Sequence, residues 1–326
     1  MSKQSKCIHR GDYSAPHWCI PTVALDFDIL TDRVVVAADL HVVRADDAPD
    51  TAPLILDGKE LTLRAVLVDG RALAPSEYEV EGGRFILHRP PGPEFVLHTE
   101  VEIDPYHNTS LEGLYLSTGI LCSQNEAEGF RRITYFVDRP DILSVYTTTI
   151  TANRKHFPCL LSNGNLQSSS DLPDGRQRVV WHDPFPKPCY LFALVAGGLG
   201  MIRDTFTTES NRDVELRIYV DPGNEERAWH AMRSLQKSMR WDEQRFGLEY
   251  DLDLYMIVAV DAFNAGAMEN KGLNIFNSVY VLASPETATD ADFLNVERVI
   301  AHEYFHNWTG NRVTLRDWFQ LTLKEG

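Results

Sequence analysis

Residues 302–306 read His302-Glu303-Tyr304-Phe305-His306. On a helix, side chains four apart differ by about 40° around the axis, so both imidazoles project from one face and can grip one ion. Histidine nitrogen suits zinc, which takes tetrahedral nitrogen and oxygen donors and brings no redox chemistry. Glu303 lies about 100° round from His302, off the ligand face but close enough to reach a water held there. The competing reading of the string is a solvated polar helix face. A hydrolytic zinc site needs three protein ligands and one open position, so two histidines alone are incomplete. A third histidine in the same stretch would need Gly at 309 and His at 312, where Thr309 and Arg312 stand. The other solution is a glutamate on a following helix, and Glu325 comes after eighteen intervening residues, 307–324. Thr322-Leu323-Lys324-Glu325 also fits a capping box, in which Glu325 would only cap its own helix start. Spacing alone leaves ligand and cap open.

These residues need a scaffold, and 326 residues at 44% hydrophobic and 24% charged can supply about two globular domains. A net charge of −16 disfavours binding to a nucleic-acid backbone. The most apolar stretch, Tyr190 to Ile202, is shorter than the ~20 residues a membrane span needs and is expected to be buried core. The first residues carry no apolar signal region, so a cytoplasmic location is expected. The five cysteines, Cys7, Cys19, Cys122, Cys159 and Cys189, form no CxxC pair and are expected to stay reduced. From Val23 to about Leu199, short alternating runs such as Val23/Leu25/Phe27/Ile29 and Val34/Val36/Ala38/Leu40/Val42 predict antiparallel strands in a sandwich or saddle. Asp69-Gly70, Gly82-Gly83, Pro90 to Pro93 and Pro184 to Pro188 read as breaks between them. Beyond Gly200 the period changes. A strand at Val214–Val220 precedes a helix over Asn224–Phe246, apolar runs at Leu254–Val260 and Leu273–Leu282, and a second helix from about Asp292 to Trp308 that Gly310-Asn311 stops. The expected organisation is a multi-domain chain, with an all-β domain over 1–198 and an α+β domain over 199–326.

With Gly266-Ala267-Met268-Glu269-Asn270 upstream of the His/Glu string, the sequence resembles the aminopeptidase N family of gluzincin zinc peptidases, in its bacterial alanyl aminopeptidase branch. The resemblance implies a thermolysin-like catalytic domain with one zinc ion held by His302, His306 and Glu325, and Glu303 as general base. It implies that Glu269, helped by Glu126, binds the substrate's free α-amino group. Gly266 and Ala267 would approach the substrate backbone along an edge strand, Met268 and Asn270 would complete that substrate-binding motif, and Gln124 would line the first specificity pocket. Without the motif, Glu269 could simply end a strand and Glu126 could be one of several exposed loop acids. The implied partners are peptides with a free N-terminus, with no nucleic acid and no membrane, and a monomer is expected at full length. Family members are longer, so the chain is expected to be an N-terminal piece that binds zinc weakly and turns over little. A helix cut in its first turn holds Glu325 poorly, and the family's oxyanion-stabilising tyrosine would lie beyond Gly326. Ala265 before the motif suggests a roomy first pocket. Two rivals remain: a bifunctional epoxide hydrolase of the same superfamily, which would carry Gly where Ala267 stands, and a non-catalytic interaction protein on a peptidase fold.

Overall fold

The computed structural model describes residues 7–326. These residues build four sheets. The largest has eight strands in the order Asn165–Asp171, Arg176–Pro188, Leu143–Asn153, Trp18–Ile29, Val34–Arg44, Glu94–Ile103, Thr62–Val68 and Arg71–Ala72. Its alternation follows the predicted faces, since Val34, Val36, Ala38, Leu40 and Val42 are all fully buried while the residues between them are partly exposed. A three-stranded sheet (Leu54–Asp57, Arg84–Leu87, Glu79–Glu81) and a four-stranded one (Cys159–Ser162, Leu194–Gly197, Ile120–Gln124, Gly113–Ser117) supply Leu56, Phe85, Leu121 and Val195 to the same core.

Two details depart from the expected pattern. Trp18–Ile29 pairs in parallel with Leu143–Asn153, from Thr22 opposite Val145 to Ile29 opposite Ala152. Segments so far apart in sequence are free of the antiparallel constraint that a short hairpin imposes. Residues Pro184 to Pro188 do not break a strand; they complete Arg176–Pro188. The outer neighbour pairs only as far as His182, and a bulge between Ser144 and Tyr146 absorbs the mismatch on the inner side, so the missing proline N–H groups interrupt no ladder.

The fourth sheet is mixed, with its strands ordered Gly200–Thr207, Asp213–Val220, Leu254–Val260, Leu273–Asn277 and Ala267–Met268. Its centre is parallel and its two outer pairings are antiparallel. Leu254–Val260 is buried along its whole length because both faces are covered. Met256, Val258 and Val260 join the core of the β-rich part, whereas Tyr255, Ile257 and Ala259 meet two helices. The first helix, α1 (Trp229–Phe246), follows a short 3-10 turn at Glu225–Ala228 and ends at Gly247, whose φ of 69° lets its N–H reach back to the Glu243 carbonyl. The second, α2 (Asp290–Phe305), starts two residues before the predicted Asp292. Thr289 Oγ1 accepts from the Asp292 N–H and the Asp292 carboxylate accepts from the Thr289 N–H, a capping box. Met232, Leu235 and Met239 of α1 and Val296, Ile300 and Tyr304 of α2 bury the apolar stripe against the sheet. α2 stops at Phe305, three residues short of Trp308, with His306 as its C-cap. No helix among the described residues is long and apolar enough to cross a membrane.

Candidate metal centre

The end of α2 and the last turn of the chain, α3 (Thr322–Glu325), converge on one point. His302 Nε2 and His306 Nε2 lie 3.0 Å apart. Glu325 places Oε2 3.3 Å from His302 Nε2 and Oε1 3.7 Å from His306 Nε2. A zinc ion with bonds of ~2.0–2.1 Å at tetrahedral angles spaces its donors ~3.3 Å apart, so the three side chains fit the ion that their chemistry suits. Glu325 does not cap α3: the N-cap is Leu321 and no side chain caps it. The carboxylate turns to the histidines, whose hydrogen bonds hold it well below the usual carboxylate range, with Lys324 adding to the effect.

The ligand set is oriented from behind. His306 is almost wholly buried, and its Nδ1–H donates to the Thr309 carbonyl at 2.8 Å, which aims Nε2 at the shared point. Burial opposes charge on His306, but Glu325 and Glu269 outweigh it and lift the pKa to about 9, so a metal ion binding there would release a proton. The turn after His306 is tied to α1 by Trp308 Nε1–H, which donates to Asp242 Oδ2 at 2.7 Å. The Arg312 guanidinium stacks over the Trp308 ring at 4.2 Å and donates to the Glu249 carbonyl.

Glu303 faces the interior with Oε2 buried and without a hydrogen-bond partner. Its carboxylate lies within 4.8 Å of ligand atoms of both His306 and Glu269. Burial first, and then Glu269, push its pKa up to about 8. A dication beside it would pull that value down again.

The 266–270 segment runs along the edge of the mixed sheet. Ala267 and Met268 pair with Phe276 and Ile275, and Gly266 accepts from the Asn277 N–H. Met268, Glu269 and Asn270 are buried, Ala267 is half-buried and Gly266 is exposed. Asn311 Nδ2 donates to the Glu269 carbonyl at 3.3 Å, tying this edge to the turn beyond His306. Both side-chain polar atoms of Asn270 are buried without partners.

Glu126 arrives from the four-stranded sheet of the β-rich part. Strand Ile120–Gln124 is buried throughout and leads into Asn125, whose Nδ2 donates to the Phe192 carbonyl at 2.7 Å. Gln124 is buried with Nε2 against the Glu126 carbonyl and Oε1 unpartnered. The turn closes through the Gly129 N–H to the Asn125 carbonyl at 2.8 Å. A β-carbon on Gly129 would sit 2.5 Å from the Gln124 carbonyl oxygen and 2.9 Å from Asn125 Cα, and backbone cannot swing aside. Gly129→Ala is therefore expected to cost about 1–3 kcal/mol, read as a lower melting temperature. An unchanged melt would mean that the turn holding Glu126 is not fixed in this way.

Sequence reasoning missed Lys324. Its ammonium is buried and donates to Glu269 Oε1 at 2.6 Å and Glu325 Oε1 at 2.5 Å, and it lies 3.0 Å from Glu126 Oε1. Burial opposes that charge, but Glu269 and Glu126 outweigh it and hold the lysine above its ordinary pKa. Glu126 is itself lifted to about 6, by burial first and then by Glu269. A lysine flanked by a glutamate in a terminal helical turn reads as a solvated pair. The available signal was the surplus of glutamates at 126, 269, 303 and 325, which asks for a cation.

Residues 35–191 match the profile described as the Peptidase M1 N-terminal domain, and residues 230–326 match the Peptidase family M1 domain. The chain belongs to the M1 peptidase family. Among curated relatives, the Aminopeptidase N of Escherichia coli (strain K12) is 56% identical over 326 residues, which is 100% of this chain and 37% of the relative. The Aminopeptidase N of Caulobacter vibrioides is also 56% identical, over 98% of this chain and 37% of the relative. A crystal structure of Legionella pneumophila aminopeptidase A in complex with aspartic acid superposes with a TM-score of 0.93 at 40% identity, covering 97% of this chain and 37% of that one. The chain thus spans little more than a third of the length of these relatives. The chain shares the fold of that solved structure over the matched length, a strand-rich N-terminal domain followed by part of a catalytic domain with helices.

Proposed function

We propose that this chain carries the metal-binding and amine-anchoring half of a zinc aminopeptidase, in which His302, His306 and Glu325 hold one zinc ion and Glu303 is the general base. The observation that supports it most is the placement of two imidazole nitrogens 3.0 Å apart, with one Glu325 oxygen 3.3 Å from the first and the other 3.7 Å from the second, beside the buried, unpartnered Glu303 Oε2. Bound there, zinc supplies Lewis-acid polarisation of the scissile carbonyl and lowers the pKa of the attacking water. Glu303 Oε2 takes the water's proton and can return it to the leaving amine. Glu126 and Glu269 grip the substrate's α-ammonium, and the Lys324 ammonium they already hold is the same chemical species. Fixing the chain end beside the metal makes the enzyme trim from the N-terminus. Gly266 and Ala267 offer an edge strand along which an extended substrate backbone can lie, and Gln124, at the end of its strand, borders the first pocket. Substrates are peptides with a free N-terminus. The β-rich part, taken as 1–198, supplies Glu126 and Gln124, and 199–326 supplies the rest. Five free thiols suit the cytoplasm.

The test is hydrolysis of an alanyl chromogenic amide and of its N-acetylated twin by the zinc-loaded chain. Slow cleavage of the free amine alone, abolished by a chelator, is expected. Equal cleavage of both would overturn the roles of Glu126 and Glu269, and no binding of zinc at all would overturn the metal centre.

A further inference from the structure

Behind the three metal ligands lies a second convergence of oxygen donors. Glu126, Glu269 and Glu325 each offer a carboxylate oxygen within 4.8 Å of the others. Glu325 belongs to both sets, and Glu303 Oε2 is buried without a partner beside the same Glu269. Carboxylate oxygens are hard donors that take divalent ions readily. Two divalent ions about 3.5–4 Å apart are a common hydrolytic arrangement, and a carboxylate shared by two donor sets is what such a pair would need. In this chain the second set is filled by the Lys324 ammonium, which meets all three glutamates and is closed off from solvent.

We propose that Lys324 is a built-in cation that limits the acidic pocket to a single metal ion, its ammonium standing where a second divalent ion would otherwise sit among Glu126, Glu269 and Glu325. The inference rests on the zinc reading of His302, His306 and Glu325. Charge supports it. Lys324 sets one buried ammonium against the carboxylates of Glu126, Glu269 and Glu325 at once. Without Lys324 the pocket holds one positive charge fewer, and the carboxylates of Glu126 and Glu269 lose their partner, and desolvated charge of that kind draws in a cation. Lys324 is then a positioning residue: it keeps Glu126 and Glu269 together and free of metal, available to a monovalent ammonium.

The experiment measures zinc per chain after chelator stripping and dialysis against excess zinc. The unmodified chain and Lys324→Arg are expected to hold one ion. Lys324→Met is expected to hold two, and adding Glu126→Gln to it should return the count to one. A folded Lys324→Met chain with a single zinc would overturn the inference, as would two tightly held ions in the unmodified chain. An unmodified chain with none would overturn the zinc reading itself and the inference with it. If Lys324→Met does not fold after stripping, its circular dichroism is followed in rising zinc. Recovery with a two-ion dependence supports the inference, and no recovery at any zinc concentration overturns it.

Discussion

Glu303→Gln is expected to lower turnover of the alanyl amide by about 10²–10⁴ while leaving zinc content unchanged. Glutamine keeps the shape and buried position of the side chain but cannot take a proton from water. The metal should stay because the proposed ligands are His302, His306 and Glu325, and the Thr309 carbonyl that orients His306 is untouched. A chain that lost its zinc on this substitution would show Glu303 to be a ligand and not a base. Stability gives a second, activity-free readout. In the zinc-stripped chain, burial lifts the Glu303 pKa to about 8 from its ordinary value of 4.5. Between those values the folded state binds the proton more readily than the unfolded one, so this group's stabilisation is full below about 4.5 and is lost as pH rises through about 8. Glu303→Gln should remove that component, making thermal stability less dependent on pH over the same window. Zinc opposes the proton at Glu303, so the zinc-loaded chain should show the component only weakly.

The site was more legible than the way it is assembled. His302, Glu303 and His306 announce themselves because a four-residue spacing on one helix is a local property, and α2 has the periodicity and cap to form on its own terms. The alternation in Val34–Arg44 and the continuous apolar run of Leu254–Val260 are local too, and they fall where the structure buries one face and two faces respectively. What the sequence hides is set by partners far away along the chain. The parallel pairing of Trp18–Ile29 with Leu143–Asn153 has no local signature, because hydrophobic alternation is the same for either direction. Pro184 to Pro188 looked like a break because the sequence does not say that the neighbouring strand, Asn165–Asp171, pairs only as far as His182. Lys324 looked solvated because the carboxylates that bury it, Glu126 and Glu269, come from a turn in the β-rich part and from the edge of the mixed sheet. The choice for Glu325 between ligand and cap was open for the same reason: the capping box is a contact within four residues, whereas the histidines are reached only once α3 has folded back on α2.

Lys187→Met is expected to destabilise the chain by about 3–5 kcal/mol, a large part of an ordinary folding free energy. Lys187 and Asp183 have fully buried side chains, with Nζ 3.1 Å from Oδ2. The contact lies off the hydrogen-bonding direction, so the attraction is chiefly electrostatic, supplemented by the Tyr146 ring 3.9 Å from the ammonium. Burial already drags the lysine pKa down to about 8 against the pull of Asp183, which measures how poorly this interior tolerates the charge. Removing the lysine alone strands a carboxylate where no water reaches it. Removing both charges, as Asp183→Leu with Lys187→Met, should recover most of the loss, because well-packed apolar pairs are often as stable as the ion pairs they replace. Thermal melts of the two single variants and the double variant form the cycle, and a double variant no better than Lys187→Met would locate the cost in packing instead of charge. The pair borders the segment 269–271. Lys271, next to Asn270, stacks over the Phe185 ring at 4.4 Å and pairs with Asp251, and its carbonyl accepts from Asn163 Nδ2 at 2.8 Å. A buried ion pair adds little net stability, but it tolerates few alternative packings, and here it fixes the strand against which residues 269–271 are seated. If the pair serves that purpose, the doubly apolar variant will melt normally yet bind zinc and the free-amine substrate less well than the parent.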